Sequence, residues 1–186
     1  MAIVHRATLT PTKPELLAAW LGSRPDTGSG ETEILGSYRF DDPDGEVGVE
    51  AIIARRGDRV LQVPLTYRGA PLDGADDALV GTMEHSALGS RWAYLASADP
   101  VAQGCFRRAL LGEQQTATFE EYDGDTFVRT RPDTVTLTRE TTGTPSDTGT
   151  IRLAEDLTGG GLPAGEGIAR LIARWDGGTA VVAALV

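Results

Sequence analysis

The sequence predicts an α+β fold, a mainly antiparallel sheet packed with two or three short helices, from three observations. Strand signals are densest over residues 46–94, broken by a polar, turn-prone link at 68–77, and extended runs resume after residue 116. Two stretches carry helical periodicity between start and stop signals, and short Gly-containing turns join neighbouring extended runs.

Taken in order, Ile3, His5 and Ala7 alternate with Val4, Arg6 and Thr8, so residues 2–9 read as a first strand. Thr12 and Glu15 then have capping-box spacing ahead of an apolar stripe of Leu16, Leu17, Trp20 and Leu21, with Gly22 as the stop. Residues 23–31 have loop composition. Ile34, Gly36, Tyr38 and Phe40 open the next extended run, which ends in the acidic turn at residues 41–46. That turn resembles a scrap of calcium loop, but Phe40 and Ala51 stand where an EF-hand places its first and last ligands, so it reads as a solvated turn.

Val47, Val49, Ala51 and Ile53 share one face of a strand, and Leu61, Val63, Leu65 and Tyr67 one face of another. Arg56-Gly-Asp58 lies at the tip of this hairpin, where Gly and Asp supply turn chemistry rather than an adhesion motif. Pro64 cannot donate a ladder hydrogen bond, which predicts an edge or a bulge at that position. Leu79 to His85 and Arg91 to Tyr94 read as a further pair of strands. Asp99 and Pro100 start a second helix whose apolar face carries Ala102, Cys105, Phe106, Ala109 and Leu110, closed by Gly112. Cys105 on that face reads as a buried hydrophobe rather than a reactive thiol. Beyond it come a hairpin around Asp123-Gly-Asp125, strands near Val135, Ile151 and Ala169, a Gly-rich connection at 158–167, and a terminal strand over 179–186. No repeat or long linker divides the 186 residues, and the expected organisation is one domain over 1–186 with 116–186 as a more divergent β-rich extension.

Composition narrows the function classes. A formal charge of −10 argues against nucleic acid and anionic membrane as partners. The one cysteine forbids an internal disulfide, and the start of the chain has no apolar run for a signal peptide or membrane span, so the expected location is cytoplasmic. Lys13, the only lysine, sits at a helix start far from any Gly-rich loop and can serve neither a Walker loop nor a kinase strand. No nucleophile elbow and no zinc-ligand spacing occur, and His5 and His85 are the whole imidazole supply. No cofactor is implied. The single aromatic and imidazole cluster is Tyr67, His85, Arg91, Trp92 and Tyr94, which as candidate ligand-binding residues would form a stacking floor for a sugar or other flat molecule. A plainer reading has Trp92 and Tyr94 filling a sheet core and His85 hydrogen-bonding locally.

A family resemblance adds to this. The opening Met1-Ala-Ile-Val-His-Arg-Ala-Thr-Leu-Thr-Pro-Thr-Lys-Pro-Glu-Leu-Leu-Ala-Ala-Trp-Leu21 resembles the maltokinase N-terminal cap family. So do Tyr38-Arg-Phe-Asp-Asp-Pro-Asp-Gly-Glu-Val-Gly-Val-Glu50, Leu61-Gln-Val-Pro-Leu-Thr-Tyr-Arg-Gly-Ala-Pro-Leu72, and Glu84-His-Ser-Ala-Leu-Gly-Ser-Arg-Trp-Ala-Tyr94 with Asp99-Pro-Val101. The resemblance is strong over roughly the first 110 residues and weaker after them. It implies a curved, cystatin-like antiparallel sheet with helices, carried without the two kinase lobes that follow it in bacterial maltokinases. It supplies no catalytic residue. Free-standing relatives are often labelled 1,4-α-glucan branching enzymes, yet that chemistry belongs to a (β/α)₈ barrel of about 250 residues. The expectation is therefore a non-catalytic cap-like accessory module of bacterial α-glucan, maltose and trehalose metabolism, working through contact with a kinase, a synthase or a second copy of itself. The alternative is a small-molecule binding protein, for a sugar or apolar ligand, with a pocket between sheet and helices.

Overall fold

The computed structural model describes residues 2–5, 8–123 and 126–186, with side chains over 8–118, 120 and 127–186. Its centre is a strongly curled sheet, a half-barrel, in an α+β arrangement. Thirteen strands are formed by the described residues. Those of the first half are β1 (Ala2–His5), β2 (Leu9–Thr10), β3 (Thr32–Phe40), β4 (Gly48–Arg56), β5 (Arg59–Arg68), β6 (Leu79–His85) and β7 (Gly89–Leu95). The second half contributes β8 (Phe119–Asp123), β9 (Thr126–Arg131), β10 (Val135–Thr141), β11 (Ile151–Leu153), β12 (Ala169–Trp175) and β13 (Gly178–Leu185). The helices are α1 (Lys13–Gly22) and α2 (Pro100–Leu111).

The central sheet has the order β2-β6-β7-β5-β4-β3, every pair antiparallel. The β4–β5 hairpin is the one the alternation predicts, closed at Gly57, whose φ of 62° is the left-handed conformation a tight turn demands. Residues 2–9 divide into β1 and β2 rather than one strand, with 6 and 7 outside the described residues. β1 pairs with β8 in parallel, and β8 with β9 antiparallel; the turn residues 124 and 125 of that hairpin lie outside the described residues. The remaining sheet has the order β10-β12-β13-β11.

Both faces of the central sheet are covered, which is why six successive residues of β4 are buried although its sequence alternates. On one face α1 lies over Ile52, Val63, Leu65, Met83 and Ala93 through Leu16, Leu17 and Leu21. Thr12 caps α1 by accepting from the Glu15 N–H while the Glu15 carboxylate accepts from the Thr12 N–H at 2.8 Å, the reciprocal capping box. The opposite face, with Tyr38, Phe40, Val49 and Ile53, shares a larger core with Phe106 of α2 and with Leu171, Val182 and Leu185 of the four-stranded sheet. Tyr38, Phe40 and Phe106 meet edge to face, with centroids 5.2–6.5 Å apart. Cys105 is fully buried, and burial raises its thiol pKa, so the free thiol behaves as the small hydrophobe expected of it.

Candidate functional site

The five residues singled out in the sequence do sit on neighbouring strands, but the register divides them. Met83 opposes Arg91, His85 opposes Gly89, and Tyr67 opposes Ala93, so Tyr67, His85 and Arg91 belong to the α1 face. Thr66 opposes Tyr94 and Arg68 opposes Trp92, which puts both aromatic rings on the other face. His85 and Tyr94 then have local employment. The His85 Nδ1 accepts from the Ala87 and Leu88 N–H groups at 3.2 and 3.1 Å and organises the β6–β7 turn. The Tyr94 hydroxyl accepts from the Leu72 N–H at 3.0 Å and pins the link that leads from β5 toward β6.

Two charged constellations were not legible as such. Beneath α1, the buried Glu50 carboxylate is held by Lys13 Nζ and by the Ser37 hydroxyl at 3.0 Å, and the ammonium lies 4.6 Å from the centre of the Tyr67 ring. Burial opposes ionisation of Glu50, yet the Lys13 and Arg39 charges and the two hydrogen bonds outweigh it, and its pKa falls below the ordinary carboxylate range. Tyr67 moves the other way, its hydroxyl pushed well up by burial and by the neighbouring carboxylate. The lone lysine is thus a structural counter-charge. On the opposite face, Arg68 donates from Nε and an Nη to the two Asp99 oxygens at 2.7 and 2.8 Å, and Asp99 also accepts from the Val101 N–H to cap α2. Burial would raise the Asp99 pKa, but these donors lower it.

The acidic turn at 41–46 is built in the same way. Asp42 accepts from the N–H groups of Asp44, Glu46 and Val47 at 2.9–3.1 Å, so its carboxylate is spent on the turn itself.

A cleft of about 130 Å³ opens at the end of α1. It exists because β5 changes partner midway. Leu65 to Arg68 pair with β7, whereas Leu61 bridges Asp156 and the Gln62 N–H donates to the Glu155 carbonyl at 2.9 Å. Between the two partners Val63 and Pro64 face a gap. The N–H groups of Val60 and Gln62 point to this side, toward Thr158 Oγ1 and the Glu155 carbonyl, and the same alternation would aim one from residue 64 into the gap. Proline has none to strand there. The edge expected at Pro64 is met locally: its strand is interior, but among the described residues the neighbour on that side is missing over two residues.

Trp20 and Leu95 flank the gap, and Arg24, Asp26, Arg59, Glu155 and Asp156 rim it. The Arg24 guanidinium lies 4.8 Å from the Trp20 ring centre and pairs with Asp26 at 3.2 Å. Arg59 pairs with Asp156 at 2.8 Å. Burial opposes ionisation of Asp156, but the Thr158 hydrogen bonds and Arg59 win and lower its pKa. The Nε atoms of Arg24 and Arg59 are shielded from solvent and have no hydrogen-bond partner among the described residues. Only the odd placement of Pro64 and the i, i+4 spacing of Trp20 and Arg24 hinted at this site in the sequence.

The region from within α1 to the cap of α2 has a known counterpart. Residues 18–99 match the maltokinase N-terminal cap domain. No curated protein and no solved structure matches the chain. The cap match takes in β3 to β7 whole, five of the six strands of the curled sheet, and stops at Asp99. The cleft straddles its limit, with Trp20 to Ser97 inside and Leu153 to Asp156 outside. Among the described residues no helix is long and apolar enough to cross a membrane.

Proposed function

We propose that this chain is a non-catalytic, cap-like accessory module of bacterial α-glucan, maltose and trehalose metabolism that acts in the cytoplasm through contact with a maltokinase-type kinase. The observation that carries the reading is the cap match over 18–99, which takes in five of the six strands of the curled sheet. The buried charged groups give it further support: Glu50 and Asp99 are committed to Lys13, Ser37, Arg68 and the α2 cap, which is scaffold work. The core that joins β3 and β4 to β12 and β13 supports a chain that folds as a single unit. Mixing the purified chain with a maltokinase-type kinase from the same cell and running the mixture by size exclusion tests the idea. Co-elution at a fixed ratio is expected, and separate elution at micromolar concentrations would defeat it.

The cleft favours a second reading, a small-molecule binding protein with its pocket between sheet and helix. Its lining is not the Tyr67, His85, Arg91, Trp92 and Tyr94 set; it lies at the other end of β5.

A further inference from the structure

We propose that the cleft between the end of α1, the partner gap of β5 and residues 153–156 binds a neutral, polyhydroxylated ring, a pyranose or a cyclitol. This rests on the small-molecule reading and is independent of the kinase contact.

The argument starts with hydrogen bonds the protein leaves unmade. Arg24 Nε and Arg59 Nε have lost water without gaining an acceptor, and both residues line the same cleft. A buried donor left in that state costs about 1–3 kcal/mol; both side chains are partly exposed, so a rotation that turns either Nε toward a ligand oxygen recovers what the empty site forgoes. The same rim offers acceptors. Asp26 and Glu155 are largely exposed, and Glu155 stands 3.9 Å from Arg24, too far for a good hydrogen bond. A group that both accepts from a guanidinium and donates to a carboxylate suits this rim, and the hydroxyl is the simplest such group.

Charge removes the alternatives. Two guanidiniums, Arg24 and Arg59, face three carboxylates, Asp26, Glu155 and Asp156, so the rim carries a small negative excess. A phosphate or carboxylate ligand meets that excess. Of the three carboxylates a cation would meet, Asp26 and Asp156 are already paired at 3.2 and 2.8 Å with guanidiniums it would have to displace, which leaves it Glu155 alone. A purely apolar ligand would leave both Nε donors unsatisfied and take water from the charged rim.

Shape and surface then favour a ring. The walls combine Trp20, whose ring carries the Arg24 guanidinium at 4.8 Å, with Leu61, Val63, Pro64 and Leu95, an apolar surface for a C–H face, beneath a polar rim for hydroxyls. At about 130 Å³ the space is below the roughly 300–1,000 Å³ of pockets for drug-sized ligands and admits one ring rather than a chain of them.

The test is NMR titration of the full ¹⁵N-labelled chain with methyl α-D-glucopyranoside and, separately, myo-inositol. Glucose 6-phosphate, spermidine and cyclohexanol serve as anionic, cationic and apolar arms. Saturable shifts of the Trp20 indole N–H and of the Arg24 and Arg59 Nε–H signals with either neutral polyol are expected, with at least about tenfold weaker response to the other three. Trp20→Ala and Arg24→Gln should each weaken polyol binding about tenfold while leaving the remaining backbone spectrum in place; Arg24 is partly exposed, so its variant keeps the test open where Trp20→Ala does not fold. Stronger binding of the phosphate, the amine or cyclohexanol in the cleft overturns the polyol assignment and leaves the small-molecule reading standing. Silence from all five probes at tens of millimolar overturns both, and the kinase co-elution is unaffected by either result.

Discussion

Asp99 does three jobs at once: it caps α2, it takes both hydrogen bonds of the Arg68 fork, and it is fully shielded from water. Asp99→Asn keeps the cap, because asparagine caps well, but removes the charge that Arg68 faces. A cost of about 2–3 kcal/mol in urea unfolding is expected, discounted from a fully buried pair because Arg68 is partly exposed. The native pKa of Asp99 lies below its unfolded value, so the unfolded chain binds the proton first as pH falls. The stabilisation is whole above about pH 4 and drains away as pH drops through the depressed native value. Stability measured from pH 7 to pH 2 should fall less steeply in Asp99→Asn than in the parent; equal slopes would remove Asp99 from the acid response. At the other face Lys13→Met leaves the Glu50 carboxylate buried with Ser37 and Arg39 but without its ammonium. About 2 kcal/mol should be lost at pH 7, and the loss should shrink on acidification as Glu50 becomes able to take a proton.

At the scale of elements, local signals decided what could be read. The capping box of α1, the Asp99 cap of α2 and the alternation of β4 and β5 each lie within a dozen residues of sequence, and each formed as expected. Thr12→Ala should cost about 1 kcal/mol, measured as a lower urea midpoint at unchanged slope. The Gly-rich connection at 158–167 reads from composition as flexible, but it is tied down. Leu162 donates to the Val181 carbonyl at 3.0 Å, and Val181 donates back to Gly160 at 2.9 Å. Gly161 has φ 79° there, and a Cβ would stand 2.1 Å from the Val181 oxygen. Gly161→Ala is therefore expected to cost more than 1 kcal/mol, through both strain and collision; a neutral outcome in the same urea experiment would show the loop to be free. The placement of the five aromatic, imidazole and guanidinium residues was half legible for a related reason. The sequence put Tyr67, His85, Arg91, Trp92 and Tyr94 on the right strands, but which face each meets follows from register, and a single-residue step exchanges the faces. The cleft escaped because a gap in pairing has no residue pattern of its own beyond one proline.

For the whole molecule, the decisive contacts are between residues far apart in sequence. Gln62, buried on β5, donates through its amide to the Ala154 and Val182 carbonyls at 2.8 and 3.0 Å and accepts from the Tyr38 hydroxyl at 2.6 Å. Partners 92 and 120 residues away leave no local trace, so the sequence could not show that strands of 116–186 share the larger core. Arg107 likewise ties α2 to the Gly149 carbonyl at 2.9 Å. With a polar staple and an apolar core both crossing from the curled sheet to the C-terminal one, we propose that the two open together. Native-state hydrogen exchange on the full chain measures this directly. The slowest amides of β4 and β5 and those of β12 and β13 should exchange with one common opening free energy and one common denaturant slope. Amides of β12 and β13 that open several kcal/mol more easily, with a smaller slope, would show the C-terminal sheet to be a separate body merely resting on the cap.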